Sequence, residues 1–188
     1  MSEKITITPE QALVVATNPI EGGGGGSELN FEFTIEDGTL TNVAMSGDVV
    51  LNIPDNVITI GSDVCVNNGT VTKIVFSDGV RTIEDGVSTW KVDAPFAGCP
   101  LINTIILNKG LTSIGNYSFN IGSASGINPV DCCVYLPKSV TEIGTGAFGR
   151  RGYIHDVYYE GTEEEYNTIN MGENVGFDNA TIHYNSVW

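Results

Sequence analysis

The sequence predicts a β-rich solenoid of about five coils, because one short phrase recurs along the chain. The five copies start at residues 53, 76, 107, 136 and 159, with steps of 23, 31, 29 and 23 residues. The first four copies reach an Ile-Gly or Ile-Glu pair seven residues after they start. Self-similarity at such a period is typical of coils that cover each other's apolar faces.

A predicted strand precedes each copy and ends at the first residue of that copy. Apolar residues alternate with other residues along this strand. One such strand reads Val71-x-x-Ile74-x-Phe76, which is the L-x-x-L-x-L signature of leucine-rich repeats. The equivalent patterns of the last two strands begin at Asp131 and Ile154. A short second extended segment follows each phrase, and we expect these segments to form an irregular opposite wall.

Two coils are longer than the basic repeat, and their extra residues fall between repeat strands, where solenoids tolerate loops. One insert lies near Asp85 to Pro95 and contains Trp90, and the other lies within Gly122 to Pro129. Once the inserts are placed, an inward column is predicted at Cys65, Phe96, Phe119 and Phe148.

The phrases themselves resemble those of a known family. Ile-Pro-Asp-Asn-Val from residue 53, Pro-Phe-Ala-Gly-Cys from residue 95 and Leu-Pro-Lys-Ser-Val from residue 136 are similar to the BspA-like, or Treponema-type, leucine-rich repeat family. The resemblance covers roughly residues 31–185. It implies a right-handed solenoid with capped ends, its first coil at about 31–53 and its C-terminal cap at about 160–188. It also implies adhesion or protein binding by secreted or cell-surface bacterial proteins.

Residues 1–28 lie outside the repeats and are predicted to form an N-terminal arm, so that the solenoid occupies residues 29–188. The arm contains a predicted short strand at Ile5–Thr8 and a predicted short helix at Pro9–Ala16, with Pro in its first turn. Five glycines at 22–26 indicate a flexible linker. They are not expected to bind phosphate, because no Lys-Ser or Lys-Thr follows them.

Charge narrows the set of partners. The 188 residues include 8 basic and 23 acidic side chains, a net charge of −15. Such a chain repels nucleic acid and anionic lipid, so we expect neither as a partner.

No stretch reaches the roughly 18 apolar residues of a membrane span, and no leader follows Met1. We therefore expect no membrane insertion. The resemblance favours a secreted or surface location, and the missing leader leaves a cytoplasmic one open.

The sequence predicts no catalytic residue, metal site or cofactor. His155 aligns with Cys132 of the preceding strand, His183 falls in a predicted edge strand at the C-terminus, and neither belongs to a nucleophile or metal motif. The acids at 163–165 are expected to open a closing helix, where the helix dipole favours them.

Four cysteines are an even number that a disulfide-bonded protein could show. Their placement predicts free thiols instead, since two are inward-facing in different coils and two are adjacent. They are Cys65, Cys99, Cys132 and Cys133.

The predicted binding surface lies on the outward side of the repeat strands. The residue before each anchor points away from the core, because successive strand residues alternate faces. Strands stack about 4.8 Å apart, so these residues form a contiguous outward stripe. The stripe consists of Val75, Ile106, Tyr135 and Tyr158, and the column beside it of Lys73, Thr104, Cys133 and Asp156.

Our leading hypothesis is a non-catalytic recognition module that binds a protein or a glycan along this stripe. Two alternatives stay open: residues 1–28 or a second copy covers the stripe, or the stripe serves only cross-strand packing. A hypothesis from a different function class is that the chain is a structural unit, which forms homo-oligomers through the arm. The remaining hypothesis is an enzyme that acts on carbohydrate through paired acids such as Glu36 and Asp37.

Overall fold

The computed structural model describes residues 2–7, 31–44, 49–65, 68–86, 94–120, 130–149 and 153–188. In these ranges the chain forms a β-solenoid of about five turns with two walls, as the repeats predict. The predicted helix at Pro9–Ala16, the glycine linker, Trp90 and the insert at 122–129 lie outside the described residues.

One wall is a parallel sheet made from the five strands that lead into the repeat phrases and from one strand that follows the last phrase. Its six strands are β4 (Val49–Asn52), β6 (Val71–Val75), β8 (Thr104–Ile106), β10 (Cys132–Leu136), β12 (Ile154–Tyr159) and β14 (Thr181–His183). Their spatial order follows their order in the chain, with β4 and β14 at the two edges. We call this sheet the long-strand wall.

The opposite wall is built mostly from two-residue strands. Its eight strands are β1 (Ser2–Ile7), β2 (Phe31–Glu36), β3 (Thr39–Ala44), β5 (Thr59–Ile60), β7 (Thr82–Ile83), β9 (Ser113–Ile114), β11 (Glu142–Ile143) and β13 (Asn170–Met171). β1, β2 and β3 are antiparallel neighbours, and the later strands are parallel. The short second wall and the short strand near Ile5 are therefore confirmed.

The core lies between the walls and is filled by repeating columns. Phe119 is fully buried, and its ring stacks between those of Phe96 and Phe148 with centroids 5.0 Å away on each side. Phe177 extends the stack beyond Phe148 at 4.8 Å. Cys65, at the start of the predicted inward column, is also buried. The predicted inward column is confirmed, and Phe177 adds a member to it.

Glycine follows the short strand in several coils because neighbouring coils approach closely there. A Cβ added at Gly144 would lie 2.5 Å from the backbone nitrogen of Asn116. One added at Gly115 would lie 2.5 Å from the carbonyl carbon of Glu84. Carbon atoms cannot occupy such positions unless the backbone shifts, so close stacking at these two positions requires Gly115 and Gly144.

The predicted alignment at the start of β10 is wrong by one residue. Cys132, not Asp131, pairs with Ile154, and the register then shifts so that Cys133 pairs with Asp156. Cys132 is 1% exposed, whereas the side chain of Asp131 is 84% exposed. An unpaired carboxylate is costly to bury, so the small thiol takes the inward position. His155 consequently does not align with Cys132.

The predicted closing helix is present as α1 (Glu163–Tyr166). The Thr162 hydroxyl accepts a hydrogen bond from the backbone N–H of Glu165 at 3.3 Å, and the Glu165 carboxylate accepts one from the backbone N–H of Thr162 at 2.8 Å. This capping box explains why the helix begins at Glu163. Among the described residues, no helix has the length and apolar character that crossing a membrane requires.

Candidate recognition surface

The outward stripe predicted from the sequence is one continuous row across the long-strand wall. Val75 pairs with Ile106, Ile106 with Tyr135, and Tyr135 with Tyr158. All four side chains are half-buried, so they pack on each other and still present surface to solvent. The predicted adjacency is correct, and the binding role of the stripe remains a prediction.

The column beside the stripe also forms as predicted. Lys73 pairs with Thr104, Thr104 with Cys133, and Cys133 with Asp156. These four residues are half-buried as well. Val50 precedes Lys73 in this column and is 44% exposed. The face therefore places polar groups of both charge signs next to an apolar and aromatic row.

Aromatic rings stack along one end of the stripe. The Tyr135 and Tyr158 rings are 4.8 Å apart with an interplanar angle of 15°. The His183 imidazole lies on the other side of Tyr158, at 4.7 Å and 12°. Trp188 meets Tyr135 edge-on, at 5.6 Å and 61°. We call these four side chains the aromatic stack.

Sequence reasoning missed two members of the aromatic stack. His183 pairs with Tyr158, and it could have been found by extending the strand spacing one coil beyond the last phrase. Trp188 lies after the last strand and outside the repeat, so no periodic signal points to it.

Hydrogen bonding and burial define the chemistry of the stack. The Asp156 carboxylate lies 2.7 Å from Nε2 of His183, which holds the imidazole flat against Tyr158. Burial, then the nearby Cys133 and Tyr158, raise the pKa of Tyr135 above its ordinary value. A tyrosine hydroxyl is protonated at neutral pH, so the Tyr135 hydroxyl can donate a hydrogen bond to a ligand.

The Lys109 ammonium contacts the Trp188 ring at the margin of the surface. Lys109 Nζ lies 5.8 Å from the centroid of the Trp188 ring and 3.0 Å from Oε1 of Glu160. Oε2 of Glu160 accepts a hydrogen bond from the backbone N–H of Lys138 at 3.3 Å. The carboxylate therefore positions the ammonium that contacts the indole.

This arrangement predicts a pH-dependent contribution to stability. Burial alone would raise the pKa of Glu160, but the hydrogen bonds and charges of Lys109 and Lys138 outweigh it and leave the pKa lowered. The contribution is therefore present above the ordinary Glu pKa of about 4.3 and is lost as pH falls through the folded-state value. We expect Glu160→Gln to lower the free energy of unfolding by about 0.5–1 kcal/mol at pH 7.

Urea denaturation of Glu160→Gln and the natural chain at a series of pH values from 7 to 3 tests this expectation. The difference in unfolding free energy should shrink towards zero at the acid end. Glu142→Gln, on an exposed side chain of the opposite wall, is the control. An effect of Glu160→Gln that is equal at every pH would show that the carboxylate charge contributes nothing.

The surface has the composition of a contact site. Within the described ranges, no three His, Cys, Asp or Glu side chains lie close enough together to hold a metal ion. The row supplies aromatic edges, apolar area and a few hydrogen-bonding groups, which is what protein interfaces use most.

The structure also bears on the alternative that the N-terminal arm covers the stripe. β1 pairs with β2 in the opposite wall, so this part of the arm lies away from the stripe. Residues 8–30 lie outside the described ranges. In the described part of the chain, two side chains from beyond the last phrase pack on the stripe: His183 stacks on Tyr158, and Trp188 contacts Tyr135.

Comparison with known proteins agrees with the repeat pattern. The family model of the BspA type leucine rich repeat region matches residues 34–168 in six copies. The chain belongs to this family, whose repeat solenoids typically serve as recognition modules. No curated protein matches.

One similar solved structure is the crystal structure of a leucine rich cell surface protein from Faecalibacterium prausnitzii A2-165. The two proteins are 18% identical with a TM-score of 0.46, over 75% of this chain and 41% of the other. This chain therefore matches less than half the length of that protein.

Proposed function

We propose that this chain is a non-catalytic recognition and adhesion module that binds a protein or glycan through the outward face of the long-strand wall. The observation that carries the proposal is the aromatic stack, which continues the apolar row of Val75 and Ile106 on one half-exposed face. Tyrosine provides a large, rigid contact area together with a hydroxyl, which suits binding surfaces.

The packing of the stack indicates how a partner would meet it. Tyr158 has a ring on each side, so its faces are occupied and its edge remains for a partner. Tyr135 is covered by Tyr158 on one side and touched by Trp188. The partner would therefore contact ring edges and hydroxyls, with Lys73 and Asp156 beside them for polar contacts.

We propose a secreted or cell-surface location in a bacterium for this module. The family supports this location, because the resemblance implies surface or secreted proteins.

The proposal predicts that single substitutions in the stack weaken binding. A labelled chain would be applied to an array of immobilised glycans and to an array of purified proteins, and the dissociation constant of each bound partner measured. We expect Tyr135→Ala and Tyr158→Ala each to weaken binding by about tenfold, because truncating a central aromatic side chain typically costs at least 1.4 kcal/mol.

Tyr117→Ala is the matched control, since Tyr117 is a half-buried tyrosine in the turn after β9. Its partner affinity should equal that of the natural chain. Binding that survives both stack substitutions would contradict the surface assignment. A chain that binds nothing on either array would contradict the recognition function.

A second candidate function is self-assembly through the N-terminal arm. Among the strands that the structure describes, β1 has one neighbour, β2, and stands at the end of the eight-stranded sheet. An edge strand of this kind is a template for pairing with another chain, and a strand joined by a long connection can pair with a second copy. Light scattering of the full chain and of a chain that starts at Leu29 tests this candidate. A monomer in both cases would rule it out.

A further inference from the structure

Two buried cysteines from successive coils lie in contact. Cys65 follows β5, and Cys99 follows the Phe96 turn of the next coil; they are 3% and 0% exposed. The Cys99 thiol donates a hydrogen bond to the carbonyl oxygen of Cys65 at 2.7 Å, so the sulfur of one cysteine lies against the backbone of the other. The backbone N–H of Cys65 in turn donates to the carbonyl oxygen of Pro95 at 2.8 Å. The backbones around the two thiols are thus linked.

The other two cysteines are arranged differently. Cys132 points into the core, and Cys133 lies on the outward face of the same strand. Neighbouring strand residues point to opposite faces, so these two side chains diverge. All four thiols are free in this structure. A contact that joins buried cysteines of different coils is therefore the distinctive property of the first pair.

We propose that Cys65 and Cys99 are a cross-linking site, and that they form a disulfide between successive coils when the chain folds with a small-molecule disulfide as oxidant. The thiolate of one cysteine attacks the oxidant, forms a mixed disulfide and releases one thiol. The second thiolate then attacks the mixed disulfide, forms the Sγ–Sγ bond and releases the second thiol. Two protons leave the cysteines, and two electrons reduce one oxidant disulfide to two thiols.

The folded environment sets when this reaction occurs. The interaction with Cys99, followed by burial, raises the pKa of the Cys65 thiol, whereas the interaction with Cys65 lowers the pKa of Cys99, so one thiol of the pair stays in the protonated, unreactive form. The core also excludes the oxidant. Reaction is therefore slow in the finished fold and faster while the coils are still assembling, so oxidation belongs to folding in an oxidising compartment.

The cross-link would close the segment that contains β6, β7 and the insert at 85–95. Closing a loop of this size restricts the unfolded chain and stabilises the folded one. For a protein of this length we expect Tm to rise by roughly 10 °C, a gain that a reductant removes. The cross-link is independent of the recognition proposal, because it lies in the core rather than on the outward stripe.

The test refolds reduced, denatured chain in a buffer of oxidised and reduced glutathione. Remaining thiols are blocked with iodoacetamide, and a non-reducing digest is read by mass spectrometry. We expect two blocked thiols per chain and a linked peptide pair that contains Cys65 and Cys99. Cys133→Ser should keep both the cross-link and the gain in Tm.

Cys65→Ala and Cys99→Ala should each abolish the gain in Tm. The Tm of each oxidised variant is compared with that of its own reduced form, so that the packing loss caused by the substitution cancels. Four blocked thiols in the refolded natural chain would overturn the proposal. A main linked peptide that contains Cys132 or Cys133 would overturn it too, as would a Cys65–Cys99 cross-link that leaves Tm unchanged.

Discussion

Phe119→Ala is expected to lower the free energy of unfolding by about 4 kcal/mol, the largest single effect that the structure implies. Phe119 is fully buried and stacks on Phe96 and Phe148. Phe76 also meets it edge-on at 6.1 Å. The substitution would leave a cavity in the middle of a column whose other rings are held by their own coils and cannot move to fill it.

Urea denaturation measures this loss, with two comparisons. Phe177→Ala removes a ring that is only half-buried at the end of the column, so its cost should be clearly smaller. Ile58→Ala truncates a side chain that is 54% exposed and should stay within about 0.5 kcal/mol of the natural chain. A loss below 1 kcal/mol for Phe119→Ala would show that the column does not hold the coils together.

Gly144→Ala is expected to cost about 2–3 kcal/mol, although it adds one methyl group. The new Cβ would lie within 2.8 Å of three backbone atoms of Gly115 and Asn116 in the preceding coil. Backbone atoms cannot rotate away as a side chain can, so the two coils must separate locally and lose hydrogen bonds. One of these is the bond from the N–H of Gly144 to the carbonyl oxygen of Ile114, at 2.8 Å.

Gly69→Ala is the matched control, because a Cβ at Gly69 meets nothing within 4 Å. Its unfolding free energy should stay within about 0.5 kcal/mol of that of the natural chain. If Gly144→Ala were as harmless as Gly69→Ala, the Ile-Gly pairs would have no role in coil stacking, and the close approach between coils would be wrong.

Much of the fold could be predicted because the same physical constraint repeats in every coil. Inward positions such as Ile74 and Phe119 must be apolar, and outward positions such as Tyr135 follow from strand alternation. Each coil therefore supplies another test of the alignment. The register of the stripe and the placement of Phe96 beyond its insert were predicted correctly for this reason.

The errors occur where one coil departs from the repeat. Sequence periodicity placed Asp131 inward, but the cost of burying a charge decides that Cys132 takes the position. The contact of Trp188 with Tyr135 depends on the path of the chain after the last strand. The contact between Cys65 and Cys99 joins different positions of successive coils, which a column alignment does not compare.

The most direct test of the recognition proposal is a hydroxyl-radical footprint of the chain alone and with a partner bound from the arrays. The proposal predicts that the bound partner protects Tyr135 and Tyr158 from oxidation and leaves Tyr117, in the turn after β9, as reactive as before. Protection of Tyr117 with unchanged oxidation of Tyr135 and Tyr158 would contradict it, because the partner would then bind away from the outward stripe.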